Sequence, residues 1–217
     1  EEMSEPILYD PRTDGRPVIW HKDPNCENLV KHIMETLKPD RFVETGTHMG
    51  WTDMWMAEHY PSLPIFTVEI DAEYYATAVH NCKPYPNIKL FHMSSPDFLN
   101  IIYFDVLKKG LTFFSLDAHW WNYVPLQDEC KVIVTLDKYV VLVDDFACNN
   151  PRFGGDSFGG DASHPGVENN IEYLADILGK RHYRPNYEAL PPYHKGYGLF
   201  IKGVDYTPPK TMREDGI

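Results

Sequence analysis

The chain has 217 residues, of which 43% are hydrophobic, and its formal net charge at pH 7 is -12. This charge opposes binding to a phosphate backbone, and no apolar run approaches the roughly 18 residues that span a bilayer. No basic-then-apolar leader opens the chain, so we expect a cytoplasmic protein without nucleic-acid or membrane partners and leave a homo-oligomer open. The scattered cysteines show no CxxC pair, which predicts free thiols.

The first two thirds of the chain predict alternating strands and helices. Residues 1–24 show no periodicity and are interpreted as an irregular arm, whereas apolar residues recur at helical spacing from Asn25, the expected N-cap, to Pro39. Five short apolar segments then alternate with stretches long enough for a helix, near 41–45, 64–69, 87–92, 112–117 and 139–144. This alternation predicts an α/β fold, with a mainly parallel sheet covered by helices on both faces.

The C-terminal third predicts that an antiparallel pair closes the sheet. Apolar residues at helical spacing over 167–178 predict a helix, and strand-like runs follow near 181–188 and 197–202. One domain would then span 25–204, with a C-terminal tail over 205–217. The Gly-, Asn- and Asp-rich segment 147–166 is too long for an ordinary connection, so we expect a functional loop, with an idle surface insertion as the alternative.

The first strand ends in an acid followed by a glycine-containing turn. In an open α/β sheet ligands bind at the carboxyl ends of the strands, so site residues are expected there. From Glu44 to Gly50 the chain carries two glycines four positions apart, Gly46 for close backbone approach to a ligand and Gly50 for a tight helix entry. This spacing differs from the GxGxxG of dinucleotide binders, and a carboxylate at this place suits a ligand with a cationic amine.

The next two strand ends add residues that suit a nucleoside. Glu69 ends the second strand about 20 residues beyond the glycine turn, where a carboxylate can accept hydrogen bonds from both ribose hydroxyls. The third strand ends in small polar residues around Ser95, as the rim of an adenine would require. Ser94 or Ser95 could equally be a helix N-cap.

Together, Glu44 to Gly50, Glu69 and Ser95 to Asp97 resemble the cofactor motifs of class I S-adenosylmethionine-dependent methyltransferases. The resemblance covers roughly residues 25–202 and implies a Rossmann-like, doubly wound sheet of seven strands in the order 3-2-1-4-5-7-6, with strand 7 antiparallel. It implies that the loop at Gly46 binds the methionine moiety, Glu69 the ribose, and Ser95 with Pro96 the adenine edge. The cofactor-binding residues that the resemblance implies are Glu44, Gly46, Thr47, Gly50, Glu69, Ile70, Ser95 and Asp117.

The fourth and fifth strands also end in acids. Asp117 follows the fourth strand, and Asp144 and Asp145 follow the fifth, so three carboxylates would lie at the mouth of adjacent strands. Such acids repel one another unless a cation lies among them. Oxygen ligands with room left for water or substrate suit Mg²⁺, with Mn²⁺ as a close second.

The segment from Leu116 to Cys130, with Val143 to Asp145, is similar to metal-dependent O-methyltransferases of the catechol type and to their relatives that methylate sugar hydroxyls. The resemblance implies that Asp117, Asp144 and Asp145 are the metal ligands. These enzymes transfer the methyl group of S-adenosylmethionine, so the resemblance also implies that this molecule is the cofactor.

One departure from the catechol type concerns the base. That type has a lysine shortly after the first ligand, whereas this chain has Trp120 and Trp121 there. His119 can accept a proton near neutral pH and is a candidate catalytic residue, with a structural role for His119 or a base role for Asp117 as alternatives. His164 in the glycine-rich loop is a further candidate contact for the acceptor or the metal.

These patterns predict a divalent-metal-assisted O-methyltransferase that acts on a hydroxyl of a vicinal diol. The missing lysine favours a sugar or glycan acceptor over a catechol, with another small molecule as the alternative. Two other classes remain open, a nicotinamide-dependent oxidoreductase and a non-catalytic cofactor-binding module of the same fold. The first is disfavoured because the turn lacks a third glycine and carries an acid where a pyrophosphate would lie.

Overall fold

The structure, a computed structural model, describes residues 19–119, 123–150, 153–155, 157–158, 166–188 and 195–216. Within these ranges eight strands form one mixed sheet in the order β3-β2-β1-β4-β5-β7-β6-β8. The strands are β1 (Arg41–Thr45), β2 (Ile65–Glu69), β3 (Ile88–His92), β4 (Thr112–Leu116), β5 (Tyr139–Val143), β6 (His182–Pro185), β7 (Gly198–Lys202) and β8 (Met212–Asp215).

The strand order agrees with the predicted order and adds one strand to it. Strands β1 to β5 pair in parallel, and β7 lies antiparallel between β5 and β6. The α/β fold and the seven-strand order are therefore confirmed. The additional strand, β8, pairs antiparallel with β6 inside the segment 205–217, which we expected to be a tail. Its pattern gave no strand signal because Met212 is followed only by charged residues.

Six α-helices lie within the described residues, and two of them begin elsewhere than predicted. Asp23, not Asn25, caps the first helix: the Asp23 carboxylate accepts a hydrogen bond from the Asn25 amide (2.8 Å), because Pro24 takes the first helical position. The last helix begins after Asn170, since Val167–Glu168 pairs with Ser157–Phe158. The helices are α1 (Pro24–Leu37), α2 (Trp51–His59), α3 (Ala72–Cys82), α4 (Ser95–Ile102), α5 (Leu126–Ile133) and α6 (Ile171–Leu178).

Two apolar cores cover the two faces of the sheet. Helices α4, α5 and α6 pack on one face, and α1 and α2 on the other. Because side chains alternate along a strand, Phe114 lies in the first core and Phe113 in the second. All four cysteines are buried and free, as predicted. Among the described residues no helix combines the length and apolar character needed to cross a bilayer.

Candidate active site

The strand ends that the sequence singled out lie side by side at the carboxyl edge of the sheet. Backbone pairing continues one step past the strands, where the Asp117 amide donates to the Thr45 carbonyl (3.0 Å) and the Asp144 amide to the Leu116 carbonyl (3.0 Å). These two hydrogen bonds hold Asp117 beside the end of β1 and Asp144 beside the end of β4. Residues from three strands therefore share one edge.

Both glycines of the turn after β1 have backbone conformations that exclude most side chains. Gly46 has φ +87° and Gly50 has φ +81°. A β-carbon at Gly46 would lie 2.7 Å from the Asp117 carbonyl oxygen, and one at Gly50 would lie 2.7 Å from the Cys82 Sγ. The backbone at Gly46 therefore lies close to the backbone that follows β4. The predicted close approach of Gly46 to a ligand stays a prediction.

Glu69 is fixed by the backbone of the same turn. Its Oε2 accepts a hydrogen bond from the His48 amide (2.8 Å), and its Oε1 accepts one from the Asp71 amide (2.8 Å). Burial raises the pKa of Glu69, and these amides oppose that rise. Each carboxylate oxygen keeps a second acceptor position, so the carboxylate can still take a ribose hydroxyl. The neighbouring Ile70, predicted at the same site, is 41% exposed.

Glu44 lies beneath the turn and faces a second acid that the sequence analysis did not include. Its carboxyl group is 4% exposed and lies against that of Asp53, which is fully buried in the first turn of α2. Burial, followed by the Asp53 charge, raises the pKa of Glu44 well above its usual range. Burial raises the pKa of Asp53 to about 7. Two such carboxyl groups in contact cannot both ionise, so we interpret them as a pair that shares a proton.

Ser94, and not Ser95, caps α4. The Ser94 hydroxyl accepts a hydrogen bond from the Asp97 amide (3.4 Å), which decides between the two serines. Ser95 is 3% exposed, and its hydroxyl lies near the carboxyl group of Glu129, a fully buried acid of α5. Burial raises the pKa of Glu129 to about 7, while the Ser95 and Thr45 hydroxyls partly oppose this. An adenine contact through Ser95 would therefore use its backbone.

Three side chains at the ends of β4 and β5 meet closely enough to hold a metal ion. Ligand atoms of Asp117, His119 and Asp145 all lie within 4.8 Å of one another. Asp145 has φ +53°, a left-handed conformation that aspartate tolerates better than most residues, and this conformation sets the direction of its side chain. Asp144, predicted as the third ligand, is not in this group, and His119, predicted as a base, takes its place.

The three grouped residues line a pocket together with residues that sequence reasoning missed. Asp144, Glu129 and Asn169 also line it. Glu129 shares the helical stripe of Leu126, Cys130 and Ile133, and an acid on an apolar stripe was a signal that could have identified it. Asn169 gave no such signal, because it precedes α6 in an irregular segment.

Some predicted residues lie outside the described part of the chain. These are Trp120, Trp121 and His164, most of the arm over 1–24 and part of the loop over 147–166. Tyr123, which is described, is 39% exposed, and its hydroxyl donates a hydrogen bond to Asp128.

Several solved structures share this fold at low sequence identity. The O-methyltransferase TomG from Streptomyces achromogenes, solved with S-adenosylmethionine, is 15% identical, with a TM-score of 0.60 over 88% of this chain and 85% of its own. A candidate caffeoyl-CoA O-methyltransferase from Staphylococcus aureus is 13% identical, with a TM-score of 0.55 over 88% of both chains. The N-terminal domain of EvdMO1, solved with S-adenosylhomocysteine, is 10% identical, with a TM-score of 0.51 over 83% of this chain and 79% of its own.

No protein-family model and no curated protein matches the chain by sequence. The likeness lies in the path of the backbone, with the sheet order and the antiparallel β7 described above. The chain therefore has the class I methyltransferase fold.

Proposed function

We propose that the protein is a divalent-metal-assisted O-methyltransferase that uses S-adenosylmethionine and methylates a hydroxyl of a vicinal diol in a sugar or glycan. The observation that carries this proposal is the contact between the glycine turn and the grouped acids. Gly46 abuts the Asp117 backbone, and the Asp117 side chain is one of the three grouped ligand candidates. A methyl donor held by the turn would therefore lie beside an acceptor held by the group.

The residues around the turn fit the parts of the cofactor. Glu69 and the exposed Ile70 would meet the ribose and one face of the adenine. Glu44 lies below the methionine end, where the Glu44–Asp53 pair, with one shared proton, would provide a single negative charge for the amine and sulfonium. Thr47 is held in place by a 2.6 Å hydrogen bond with the Thr67 hydroxyl.

The grouped side chains fit a divalent cation by their chemistry. Asp117 and Asp145 offer carboxylate oxygens and His119 an imidazole nitrogen, a set suited to Mg²⁺, Mn²⁺ or a softer first-row ion. Such a cation, when bound, lowers the pKa of a hydroxyl and orients two vicinal oxygens. Asp117 would also reach the cofactor, because its backbone lies against the turn.

The proposed transfer forms one bond and breaks one. The acceptor oxygen forms a bond to the methyl carbon while the carbon–sulfur bond breaks, and its electron pair stays on sulfur as S-adenosylhomocysteine. The hydroxyl proton passes to a base, and Asp117 can accept it through the carboxylate oxygen that is not a ligand, because an imidazole of His119 bound to the cation keeps its proton on the other nitrogen. Holding both reactants in line can supply roughly 7–11 kcal/mol of the barrier.

The sugar acceptor is supported by two observations. The lysine base of the catechol type is replaced by tryptophans in this chain. One neighbour with this fold, the N-terminal domain of EvdMO1, was solved in the presence of S-adenosylhomocysteine and D-fucose. A ring with adjacent hydroxyls would present two oxygens to the cation at once.

The proposal is tested by methyl transfer from labelled S-adenosylmethionine to a panel of monosaccharides and their monodeoxy analogues. We expect transfer only where two adjacent hydroxyls are present, loss of transfer in EDTA, and recovery with Mg²⁺ or Mn²⁺. Asp145→Asn should lower turnover at least about a hundredfold with S-adenosylhomocysteine affinity retained, because one ligand charge is removed.

The matched control is Asp176→Asn, which makes the same charge change on an exposed position of α6 and should leave turnover unchanged. Wild-type turnover that is equal in EDTA and in Mg²⁺ would exclude metal assistance, and equal turnover of Asp145→Asn and wild type in Mg²⁺ would exclude Asp145 as a ligand. Absence of S-adenosylhomocysteine binding by calorimetry would exclude the cofactor assignment.

A further inference from the structure

Asn169 lines the same pocket as the three grouped side chains and is 4% exposed. Its Oδ1 is buried and accepts no hydrogen bond from the residues that the structure describes, whereas its Nδ2 donates to the Asp144 carbonyl (2.8 Å). Because the nitrogen must face that carbonyl, the amide has one orientation and the oxygen lies on its other edge. A buried amide oxygen without a partner is unfavourable unless a donor or a cation compensates it.

The backbone holds Asn169 firmly beside the end of β5. The Asn169 carbonyl accepts a hydrogen bond from the Ala147 amide (2.7 Å), and Ala147 and Asn170 form a parallel β-bridge. The segment that returns from the glycine-rich loop is thus attached to the chain just after Asp145. This attachment brings the amide oxygen of Asn169 to the pocket, from a part of the chain that lies more than 20 residues beyond Asp145.

We propose that Asn169 Oδ1 is a further ligand of the divalent cation held by Asp117, His119 and Asp145. The inference rests on the proposed metal-assisted function and extends it to a residue beyond the strand ends. A neutral amide oxygen is a common ligand of hard divalent cations, and it adds a donor without adding to the repulsion between Asp117 and Asp145. Through this ligand the cation would connect the segment before α6, which follows the glycine-rich loop, to the sheet.

Two other roles for Asn169 predict different behaviour. If the residue serves only to hold the Asp144 carbonyl, its nitrogen matters and its oxygen does not. If the oxygen receives a hydroxyl of the acceptor, metal affinity is independent of Asn169 and only the KM for the acceptor depends on it. The two atoms of the amide can be separated by substitution, because aspartate keeps an oxygen at this place but loses the donor, whereas leucine loses both.

The experiment is a titration with Mn²⁺ alone, followed by electron paramagnetic resonance, on wild-type, Asn169→Leu, Asn169→Asp and Asn170→Asp proteins. Asn170→Asp is the control for added charge, since Asn170 caps α6 through its Oδ1 and aspartate caps equally well. We expect Asn169→Leu to weaken Mn²⁺ binding at least about tenfold, Asn169→Asp to bind at least as tightly as wild type, and Asn170→Asp to match wild type.

Three results would overturn the inference. The first is an Mn²⁺ affinity in Asn169→Leu that equals that of the wild type. The second is an equal loss of Mn²⁺ affinity in Asn169→Leu and Asn169→Asp. The third is a gain of Mn²⁺ affinity in Asn170→Asp that is as large as the difference in Mn²⁺ affinity between the two Asn169 variants. Unfolding temperatures in EDTA identify any variant that fails to fold, and S-adenosylhomocysteine affinity is measured in parallel. Wild-type protein that binds Mn²⁺ but not S-adenosylhomocysteine would contradict the methyltransferase proposal alone. Wild-type protein that binds both, with unchanged Mn²⁺ affinity in Asn169→Leu, would overturn the inference alone, whereas binding of S-adenosylhomocysteine without Mn²⁺ would overturn the inference together with the metal assistance.

Discussion

Gly46 and Gly179 both have a positive backbone φ, at +87° and +83°, and Gly179 has ψ 171°, in a region that is essentially restricted to glycine. A β-carbon at Gly179 meets nothing within 4 Å, whereas one at Gly46 would lie 2.7 Å from the Asp117 carbonyl oxygen. We therefore expect Gly179→Ala to cost about 1–3 kcal/mol of unfolding free energy, from backbone strain alone. Gly46→Ala should cost more and should lower S-adenosylhomocysteine affinity at least about tenfold, because the turn must move away from Asp117.

Urea unfolding and calorimetry measure the two effects on the same variants. Equal losses of stability in both variants, with S-adenosylhomocysteine affinity retained in Gly46→Ala, would show that the contact with Asp117 is not needed. Loss of cofactor affinity in Gly179→Ala would point to a general loss of structure.

The buried Glu44–Asp53 pair predicts how stability depends on pH. In the unfolded chain Asp53 ionises near its ordinary pKa of 3.8, but in the folded protein burial raises this pKa to about 7. Between these values the folded state holds the extra proton, so the unfolding free energy decreases as pH rises, by up to about 1.4 kcal/mol per pH unit for one proton. Below the lower pKa the contribution is complete, and above the higher one it is lost.

Asp53→Asn stays neutral at every pH, so its unfolding free energy should fall less between pH 5 and pH 7 than that of the wild type. Urea unfolding in EDTA at several pH values measures the slope of the unfolding free energy against pH for the variant and for the wild type. The exposed Asp176→Asn should follow the wild-type slope. An equal dependence of the unfolding free energy on pH in Asp53→Asn and wild type would contradict the shared proton.

Residues at strand ends could be predicted because the fold brings strand ends together whatever the side chains are. Asp117 and Asp145, two of the three grouped side chains, were predicted in this way. Asp53, Glu129 and Asn169 were not, since their importance comes from burial, and burial of a polar residue inside a helix or an irregular segment is set by tertiary packing. His119 was identified, but its grouping with the two acids depends on the turn after β4.

At the scale of elements, β8 depends on two neighbouring acids that differ in their surroundings. Asp215 pairs with Arg184, whose side chain is 12% exposed, whereas Glu214 pairs with Arg181, whose side chain is 70% exposed. Asp215→Ala leaves a nearly buried guanidinium without its partner, and we expect a loss of about 1–3 kcal/mol. Glu214→Ala should have no measurable effect, because an exposed pair is screened by water and salt.

Thermal unfolding of the two variants provides the comparison. S-adenosylhomocysteine affinity should be unchanged in both, since β8 is an edge strand that β6, β7, β5 and β4 separate from β1 and β2. Equal unfolding temperatures for Asp215→Ala and Glu214→Ala would show that burial of Arg184 does not matter.

Elements marked by regularly spaced or continuous apolar residues were predicted well, and elements made mainly of charged residues were not. The strands β1, β2, β4 and β5 are almost fully buried, so apolar runs marked them, whereas β3 is partly exposed and was marked by a shorter apolar segment. Strand β8 has a single buried residue, Met212, and is held by pairing with β6 that no local pattern encodes. The start of α6 was misplaced because the short ladder with Ser157–Phe158 competes with the helix for Val167–Glu168.

For the molecule as a whole, cofactor binding should appear as thermal stabilisation. A ligand that binds only the folded state adds about 2.7 kcal/mol at a hundred times its Kd, or roughly 5–10 °C for a chain of this size. We therefore expect S-adenosylhomocysteine to raise the unfolding temperature by this amount and NAD to leave it unchanged. Stabilisation by NAD alone would favour the oxidoreductase alternative.

The hydrogen bonds from Asp117 to Thr45 and from Asp144 to Leu116 extend the sheet past its strands and have a consequence for evolution. They place the proposed donor and cation sites on one rigid platform, while the segment 147–166 leaves the platform only after β5. Insertions or substitutions in that segment could reshape the acceptor pocket without changing the distance over which the methyl group travels. Substrate range and transfer chemistry can therefore diverge separately on this scaffold, and libraries aimed at new acceptors belong in the loop.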